Sequence, residues 1–164
     1  MPRTEEFEAF VAARYPSLLR AAFVLTADRQ LAEDLVQSAL LRCYPAWSSG
    51  GPEHPEAYVR TAMVRLAVRG RRRRWRAEVP TAILPERGVD PIVASDTAAL
   101  VRAALASLSM DHRAVVVLRH LAGLSEAETA RVLGCSVGTV KSRTSRALDA
   151  LRTSGLLTEE ALHD

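Results

Sequence analysis

The sequence predicts an all-α protein of two small helical domains joined by an irregular linker. Apolar residues recur at helical spacing along nearly all of the 164 residues, and no segment alternates apolar and polar residues as a half-buried strand does. Residues 77–95 lose this spacing and contain three prolines, one glycine and an excess of acidic residues. An apolar content of 48% is ample for packed cores, so a folded chain is expected rather than a disordered one.

The first domain is expected to contain four helices. We predict them from about Thr4 to just before Pro16, from Pro16 to Leu25, from about Arg29 to Tyr44, and from near Glu56 through the arginine-rich stretch. Pro16 separates the first two because proline disfavours helix in the preceding residue and suits the first turn of a new helix. Two glycines and two prolines in SSGGPEHPE predict the loop before the fourth helix.

The second domain is expected to contain helices near 96–108, 110–121, 126–133 and 137–151, the last two forming a helix-turn-helix. Ser125 and Glu128 have the spacing of a reciprocal capping box, which marks the start of the third of these helices. The small Ala130, then Gly134 for a left-handed turn, then Ser136 as the next cap predict the sharp corner of the motif.

The final helix of this motif is predicted to enter a DNA major groove. Its inward stripe is Val140, Thr144, Ala147, Leu148 and Leu151. On the remaining surface we expect Thr139 and Ser142 near base edges, and Lys141, Arg143 and Arg146 mainly at phosphates. The alternative is an ordinary solvated helix of an α-hairpin, and the agreement of cap, turn and stripe favours DNA binding.

Positive charge is concentrated in one short segment. The net charge is only +3, yet residues 60–76 contain eight arginines and no acidic residue. Such a segment favours a polyanion, with nucleic acid as the first candidate and an anionic membrane as the second. Tyr58 and Trp75 could stack on unpaired bases, whereas Trp47 is better explained as a core residue. A solvated tail or a basic targeting patch are the alternatives for this segment.

Several function classes have little support. No apolar run is long enough to span a bilayer and the first residues do not resemble a secretory signal, so we expect a cytoplasmic protein without membrane insertion. Cys43 and Cys135 are isolated from each other and from histidine, so we expect no disulfide, no metal site and no cofactor. The four histidines show no triad spacing, which argues against an enzyme and against any catalytic residue.

The order of these segments resembles a bacterial RNA polymerase sigma factor of the extracytoplasmic-function (ECF) group, most closely its small sigma-E-type members. AEDLVQ, residues 32–37, is similar to region 2.2, which docks on the polymerase. YVRTAMVRLAVRGRRRRWR is similar to regions 2.3 and 2.4, which melt and read the minus-10 element. LSMDHRAVVVLRHLAGLSEAETARVLGCSVGTVKSRTSRALDALR is similar to region 4, which reads the minus-35 element.

The resemblance implies domain boundaries and partners. Region 2 would occupy residues 1–76, the linker 77–95, region 4 residues 96–153, and a short tail 154–164. Core RNA polymerase and promoter DNA, double-stranded at minus-35 and melted at minus-10, would be the partners, and an anti-sigma factor is a further candidate. The linker would thread the polymerase cleft between the two DNA-binding domains.

The resemblance also implies which residues make contacts. Polymerase contacts would come from Glu33, Asp34, Leu35 and Gln37. The loop 50–55 and the helix from Tyr58 would face the melted strand, with Tyr58, Arg60, Arg65, Arg69, Arg72, Arg73 and Trp75 at the minus-10 element. Minus-35 contacts would come from Ser136, Thr139, Lys141, Ser142, Arg143 and Arg146. Ser38 and Arg65 depart from the family, which often has an acidic residue and an asparagine at those positions.

One other kind of regulator is compatible with the second domain. LuxR-type response regulators share a similar helix-turn-helix, so the alternative function is a stand-alone transcriptional regulator that dimerises on a palindrome. AEDLVQ upstream of a basic helix is the feature that favours a sigma factor, since a stand-alone regulator has no need of a polymerase dock of that kind.

Overall fold

The computed structural model describes the backbone of residues 2–76 and 96–155, and the side chains of residues 3–71 and 99–155 within them. These residues contain helices and no strand, which confirms the predicted all-α class. The helices are α1 (Pro2–Thr26), α2 (Arg29–Ser48), α3 (Pro55–Arg76), α4 (Asp96–Ser107), α5 (Met110–Val116), α6 (Glu126–Leu133) and α7 (Val137–Thr153). The predicted linker 77–95 and tail residues 156–164 lie outside the described residues.

Helix α1 is continuous through Pro16, so the predicted break there is wrong. Proline removes one backbone donor, and its ring crowds the carbonyl four residues earlier, at Ala12. Both Pro16 and Ala12 are on the exposed side of the helix, where water can replace the lost hydrogen bond. The buried residues Leu18, Ala22 and Leu25 continue the helical stripe that Phe7 and Val11 begin, and packing of this stripe outweighs the local cost.

Helix α2 begins at a capped residue and ends later than predicted. The Asp28 carboxylate accepts a hydrogen bond from the Leu31 N–H at 2.8 Å. The helix passes through the exposed Pro45 to Ser48 and thereby buries Trp47. The Trp47 ring lies edge-on to Phe7, with centroids 4.9 Å apart, and 5.2 Å from Phe10. The core role predicted for Trp47 is confirmed.

The predicted helix 110–121 changes its winding part-way along. After Val116 it continues as a turn of π-helix, Val117–Leu121, in which the Ala122 N–H donates to the Val117 carbonyl at 2.8 Å. π-turns are rare and short, and the spacing of apolar residues does not reveal them. This turn contributes the fully buried Val117 and Leu118 to the core.

One apolar core joins the two helical sets. Its buried residues include Leu18 of α1, Val36 of α2, Met63 of α3, and Ala114 and Leu118 of the α5 and π-turn segment. A smaller cluster of Ala104, Leu105, Leu108 and Leu151 holds α4 against the end of α7. The helix-turn-helix therefore packs on the N-terminal helices through α5 and the π-turn.

Candidate nucleic-acid and protein interfaces

The helix-turn-helix corner has the geometry that its sequence predicts. The Ser125 hydroxyl accepts from the Glu128 N–H at 3.1 Å, and the Glu128 carboxylate accepts from the Ser125 N–H at 2.7 Å. Gly134 has a φ of 65°, a left-handed conformation that favours glycine. Ser136 caps α7 by accepting from the Thr139 N–H at 3.1 Å. Both helices thus have fixed starting points, which sets the orientation of α7.

Helix α7 has a buried face and a polar face. Val140 and Ala147 are fully buried, while Lys141, Ser142 and Arg146 are exposed, as the predicted DNA contacts require. Thr139 is half-buried, and its hydroxyl lies 2.9 Å from the Ser136 hydroxyl, so both side chains already take part in the cap.

Two of the α7 cations that are predicted to contact DNA have acidic neighbours. The Lys141 ammonium is 3.7 Å from the Glu126 carboxylate, and the Arg143 guanidinium is 3.8 Å from the Asp111 carboxylate. Both pairs are partly solvated, and such pairs contribute only about 0–1 kcal/mol each. A phosphate could therefore replace either carboxylate at little cost.

Helix α2 has an exposed stripe, the docking face, formed by Asp34, Gln37, Ser38 and Leu41. Leu41 is 78% exposed, the most exposed of the large apolar side chains described, and the sequence analysis did not identify it. Its helical spacing from Asp34 and Gln37 could have revealed it. The docking face combines polar groups with one apolar side chain, a composition suited to a protein partner.

The other two predicted docking residues have different surroundings. Leu35 is half-buried and packs against the core, so only part of its side chain can reach a partner. The Glu33 carboxylate is 3.3 Å from the Arg29 guanidinium, one turn earlier in the helix. Glu33 and Leu35 therefore flank the docking face, whereas Asp34 and Gln37 lie on it.

Some of the predicted minus-10 residues of α3 are exposed, whereas Arg60 already pairs with other residues of the chain. Arg65 and Arg69 are exposed, and Tyr58 is 45% exposed. The Arg60 guanidinium instead pairs with Glu56 at 2.6 Å and donates to the Leu121 carbonyl of the π-turn. Burial lowers the pKa of Arg60, with Glu56 opposing that shift. The side chains of Arg72, Arg73 and Trp75 lie outside the described residues.

A basic groove of about 1240 Å³ lies between α3 and the helix-turn-helix. Its walls come from α2, α3, the loop between them, the segment 121–124 and α6. Five arginines and three glutamates line it: Arg42, Arg60, Arg65, Arg69 and Arg131, with Glu53, Glu56 and Glu128. The surplus of arginine favours an anionic occupant.

Asp111 connects the two predicted DNA-binding helices, a relationship that the sequence analysis missed. One carboxylate oxygen is 3.9 Å from the Arg71 guanidinium of α3 and 3.8 Å from the Arg143 guanidinium of α7. In the sequence, Asp111 is recognisable only as an acidic residue in the first turn of α5, a favourable position for negative charge, and nothing indicates its pairing with two arginines.

The structure provides no metal-binding cluster among its described residues, and no helix among them is long and apolar enough to cross a membrane. Both cysteines are free thiols. Cys43 is buried, and burial raises the pKa of its thiol to about 11, whereas Cys135 is half-exposed. A buried thiol with such a pKa is a poor nucleophile.

Two known sequence families match this chain. Residues 10–77 match sigma-70 region 2, and residues 98–151 match sigma-70 region 4. The RNA polymerase sigma-E factor of Streptomyces coelicolor is 42% identical over 90% of this chain and 84% of its own length. The ECF RNA polymerase sigma factor EcfG of Rhodopseudomonas palustris is 34% identical, over 100% of this chain and 92% of its own length.

A solved structure is similar over nearly the whole chain. It is the sigma factor RpoE of Bartonella quintana in complex with the anti-sigma factor NepR, with a TM-score of 0.67 and 27% identity. The similarity covers 92% of this chain and 96% of that one. It therefore extends beyond either helical set alone.

Proposed function

The chain belongs to the ECF group of bacterial RNA polymerase sigma factors, and on that premise we propose how its residues divide the work of promoter recognition. Its function is that of a promoter-specificity subunit: it binds core polymerase and directs initiation at minus-35 and minus-10 elements. We assign region 2 to residues 1–76 and region 4 to residues 96–153, joined by the linker 77–95.

Core polymerase binds the docking face of α2. Asp34 and Gln37 provide polar contacts, and Leu41 adds apolar surface at the centre of the interface. Exposed carboxylate, amide and apolar groups on one rigid helix can form a small, specific contact whose energy comes mainly from the buried centre. Glu33 and Leu35 support this face from its edges.

Promoter DNA contacts two separate surfaces. Ser142 and Arg146, with Lys141 and Arg143, meet the minus-35 duplex from the exposed side of α7. Arg65, Arg69 and Tyr58 meet the minus-10 strand from α3, where arginines hold phosphates and an aromatic ring can stack on an unpaired base. Arg72, Arg73 and Trp75 are assigned to the same surface from the sequence.

The observation that carries this assignment is the exposed docking face in the same chain as a fully capped helix-turn-helix. A stand-alone LuxR-like regulator needs the second feature and not the first. The matches to regions 2 and 4 in one chain also favour the sigma factor over that alternative.

Three further properties belong to the proposal. The chain supplies specificity and the polymerase supplies the chemistry, so we assign no catalytic residue. We place its action in the cytoplasm, where the polymerase works. An anti-sigma factor is a candidate partner because the similar Bartonella quintana sigma factor was solved with one.

Co-purification with core polymerase, followed by mapping of transcript starts on genomic DNA, tests the function. We expect a stable complex and starts downstream of one shared pair of promoter elements. A chain that binds core but directs no promoter-dependent starts would contradict the proposal. So would a two-fold symmetric footprint made by the chain without polymerase, the result expected of a LuxR-like dimer.

A further inference from the structure

Arg42 is an exposed arginine of α2 that lines the basic groove together with Arg65 and Arg69 of α3. Its neighbour in the sequence, Leu41, belongs to the docking face. We propose that Arg42 binds a phosphate of the melted minus-10 strand, so that this strand is held by α2 as well as by α3. The inference rests on the proposed function and extends its minus-10 surface to a second helix.

Most of the carboxylates that line the groove are already engaged within the chain. The Glu56 carboxylate pairs with the Arg60 guanidinium at 2.6 Å, so these two opposite charges offset each other. The Glu128 carboxylate accepts from the Ser125 N–H at 2.7 Å in the capping box. Among the described lining residues, only the Glu53 carboxylate has no such partner. Little negative charge is therefore free to oppose an anion in the groove.

Three arginines on the α2 and α3 walls are in the opposite situation. Arg42, Arg65 and Arg69 are exposed, and none has a carboxylate partner among the residues that the structure describes. Arg29 and Arg152, by comparison, pair with a carboxylate of their own helix. A guanidinium without such a partner can bind a phosphate without first breaking an internal ion pair. The three arginines thus supply most of the positive field of these walls.

The α2 and α3 hairpin places these arginines one after another along the groove. Helix α2 ends at Ser48 and α3 begins at Pro55, so the two helices run in opposite directions from a short loop. At about 1.5 Å per residue, Arg42 is about 9 Å from the loop end of its helix, Arg65 about 15 Å and Arg69 about 21 Å. Their backbone positions therefore follow each other at intervals of about 6 Å. Such a row can follow the phosphates of one strand.

The surroundings of Arg42 favour a nucleic-acid strand over the polymerase as its partner. Tyr58, which is 45% exposed, lines the same groove and can stack on an unpaired base. Arginines beside an exposed aromatic ring are typical of surfaces that bind single strands. The docking face instead combines a carboxylate, an amide and the apolar Leu41, a composition that suits a protein. An acidic surface of the polymerase would also attract Arg42, and the experiment separates these two partners.

Binding of the holoenzyme to a fork-shaped DNA tests the proposal. The probe carries the minus-35 element as duplex and the minus-10 element as a single strand, both from the mapped promoter. Arg42→Gln removes the charge, and Arg42→Lys keeps it. Because each phosphate contact to a single strand contributes about 0.7 to the log–log salt slope, Arg42→Gln should lower the slope by about 0.7. Arg42→Lys should keep the slope of the parent chain.

Arg20→Gln is the matched control, because Arg20 is exposed on α1 outside the residues that line the groove and loses the same charge. It should leave the salt slope unchanged. Fluorescence titration with core polymerase should give Arg42→Gln the affinity of the parent chain. Thermal unfolding verifies that all variants fold.

The possible failures of this proposal and of the proposed function differ. An unchanged slope in Arg42→Gln, with a reduced slope in Arg65→Gln, would overturn the role of Arg42 and leave the minus-10 surface of α3 intact. A reduced affinity for core polymerase with an unchanged slope would make Arg42 a docking residue and so overturn the proposal as well. A holoenzyme that binds no fork DNA refutes the proposed function, and this inference with it.

Discussion

Ser125 and Glu128 satisfy each other's backbone donors at the start of α6, the first helix of the helix-turn-helix. The backbone hydrogen bond from Ser125 lowers the pKa of the Glu128 carboxyl, and the side-chain bond to Ser125 adds to this effect. Both residues therefore stabilise the start of α6, but only the contribution of Glu128 depends on pH.

Replacing the glutamate should remove a pH dependence. The folded pKa of Glu128 is below its unfolded value, so its contribution to stability is present above the unfolded pKa and is lost as pH falls through the folded pKa. We expect Glu128→Gln to flatten the acid limb of the stability curve relative to the parent chain. Chemical denaturation at several pH values between about 2 and 6 measures this, and an unchanged acid limb would contradict it.

Replacing the serine should weaken α6 at every pH. Ser125→Ala removes the N-cap and should cost about 1 kcal/mol of unfolding free energy. The same substitution at Ser49, which follows α2 and provides no N-cap, is the control. Urea denaturation at neutral pH measures both, and a loss at Ser125 no larger than at Ser49 would argue against the cap.

Variants of the docking face should weaken core binding without unfolding the chain. Asp34→Ala combined with Gln37→Ala, and separately Leu41→Ala, should each lower affinity for core polymerase about tenfold or more, as expected for central interface residues. Glu8→Ala on the exposed side of α1 should have no effect. Fluorescence titration with core enzyme gives the affinities. Unchanged binding by both docking variants would show that core polymerase contacts another surface of the chain.

Arg143→Ala should lower DNA affinity across sequences. If Arg143 neutralises a phosphate, the log–log salt slope should fall by about one, with no change in base preference. Arg152→Ala, at the end of α7, is the control. Binding of the holoenzyme to promoter variants at several salt concentrations gives the slope. An effect limited to one base pair would instead identify Arg143 as a base-reading residue.

The two cysteines should differ in reactivity. Burial raises the pKa of the Cys43 thiol to about 11, so little thiolate exists at pH 8, and the half-exposed Cys135 should react first with a thiol reagent. Absorbance of the released leaving group at pH 8 should show one fast equivalent, which Cys135→Ser removes. Two fast equivalents in the native chain would contradict the burial of Cys43.

Local patterns in the sequence were sufficient to predict the helix-turn-helix. The caps and the turn involve only neighbouring residues, so their spacing in the sequence determines the local structure. These residues are Ser125, Glu128, Gly134 and Ser136. Pro16 was misread for the opposite reason. Its local preference was outweighed by the packing of Leu18 and the residues that follow it, which involves other helices.

Contacts between distant segments could not be predicted in the same way. Arg60 and Leu121 are 61 positions apart, and their hydrogen bond joins α3 to the carbonyl at the end of the π-turn. Asp111 pairs with arginines on two other helices, and no spacing along the chain encodes that arrangement. The exposure of Leu41, by contrast, could have been inferred from its helical spacing from Asp34 and Gln37.

The burial of Val117 and Leu118 in a core shared by both helical sets has a consequence for temperature. Separating the sets exposes apolar surface to water and so raises the heat capacity of the chain. The attraction between apolar surfaces weakens on cooling. Cooling should therefore weaken the packing of the helix-turn-helix set on the N-terminal helices.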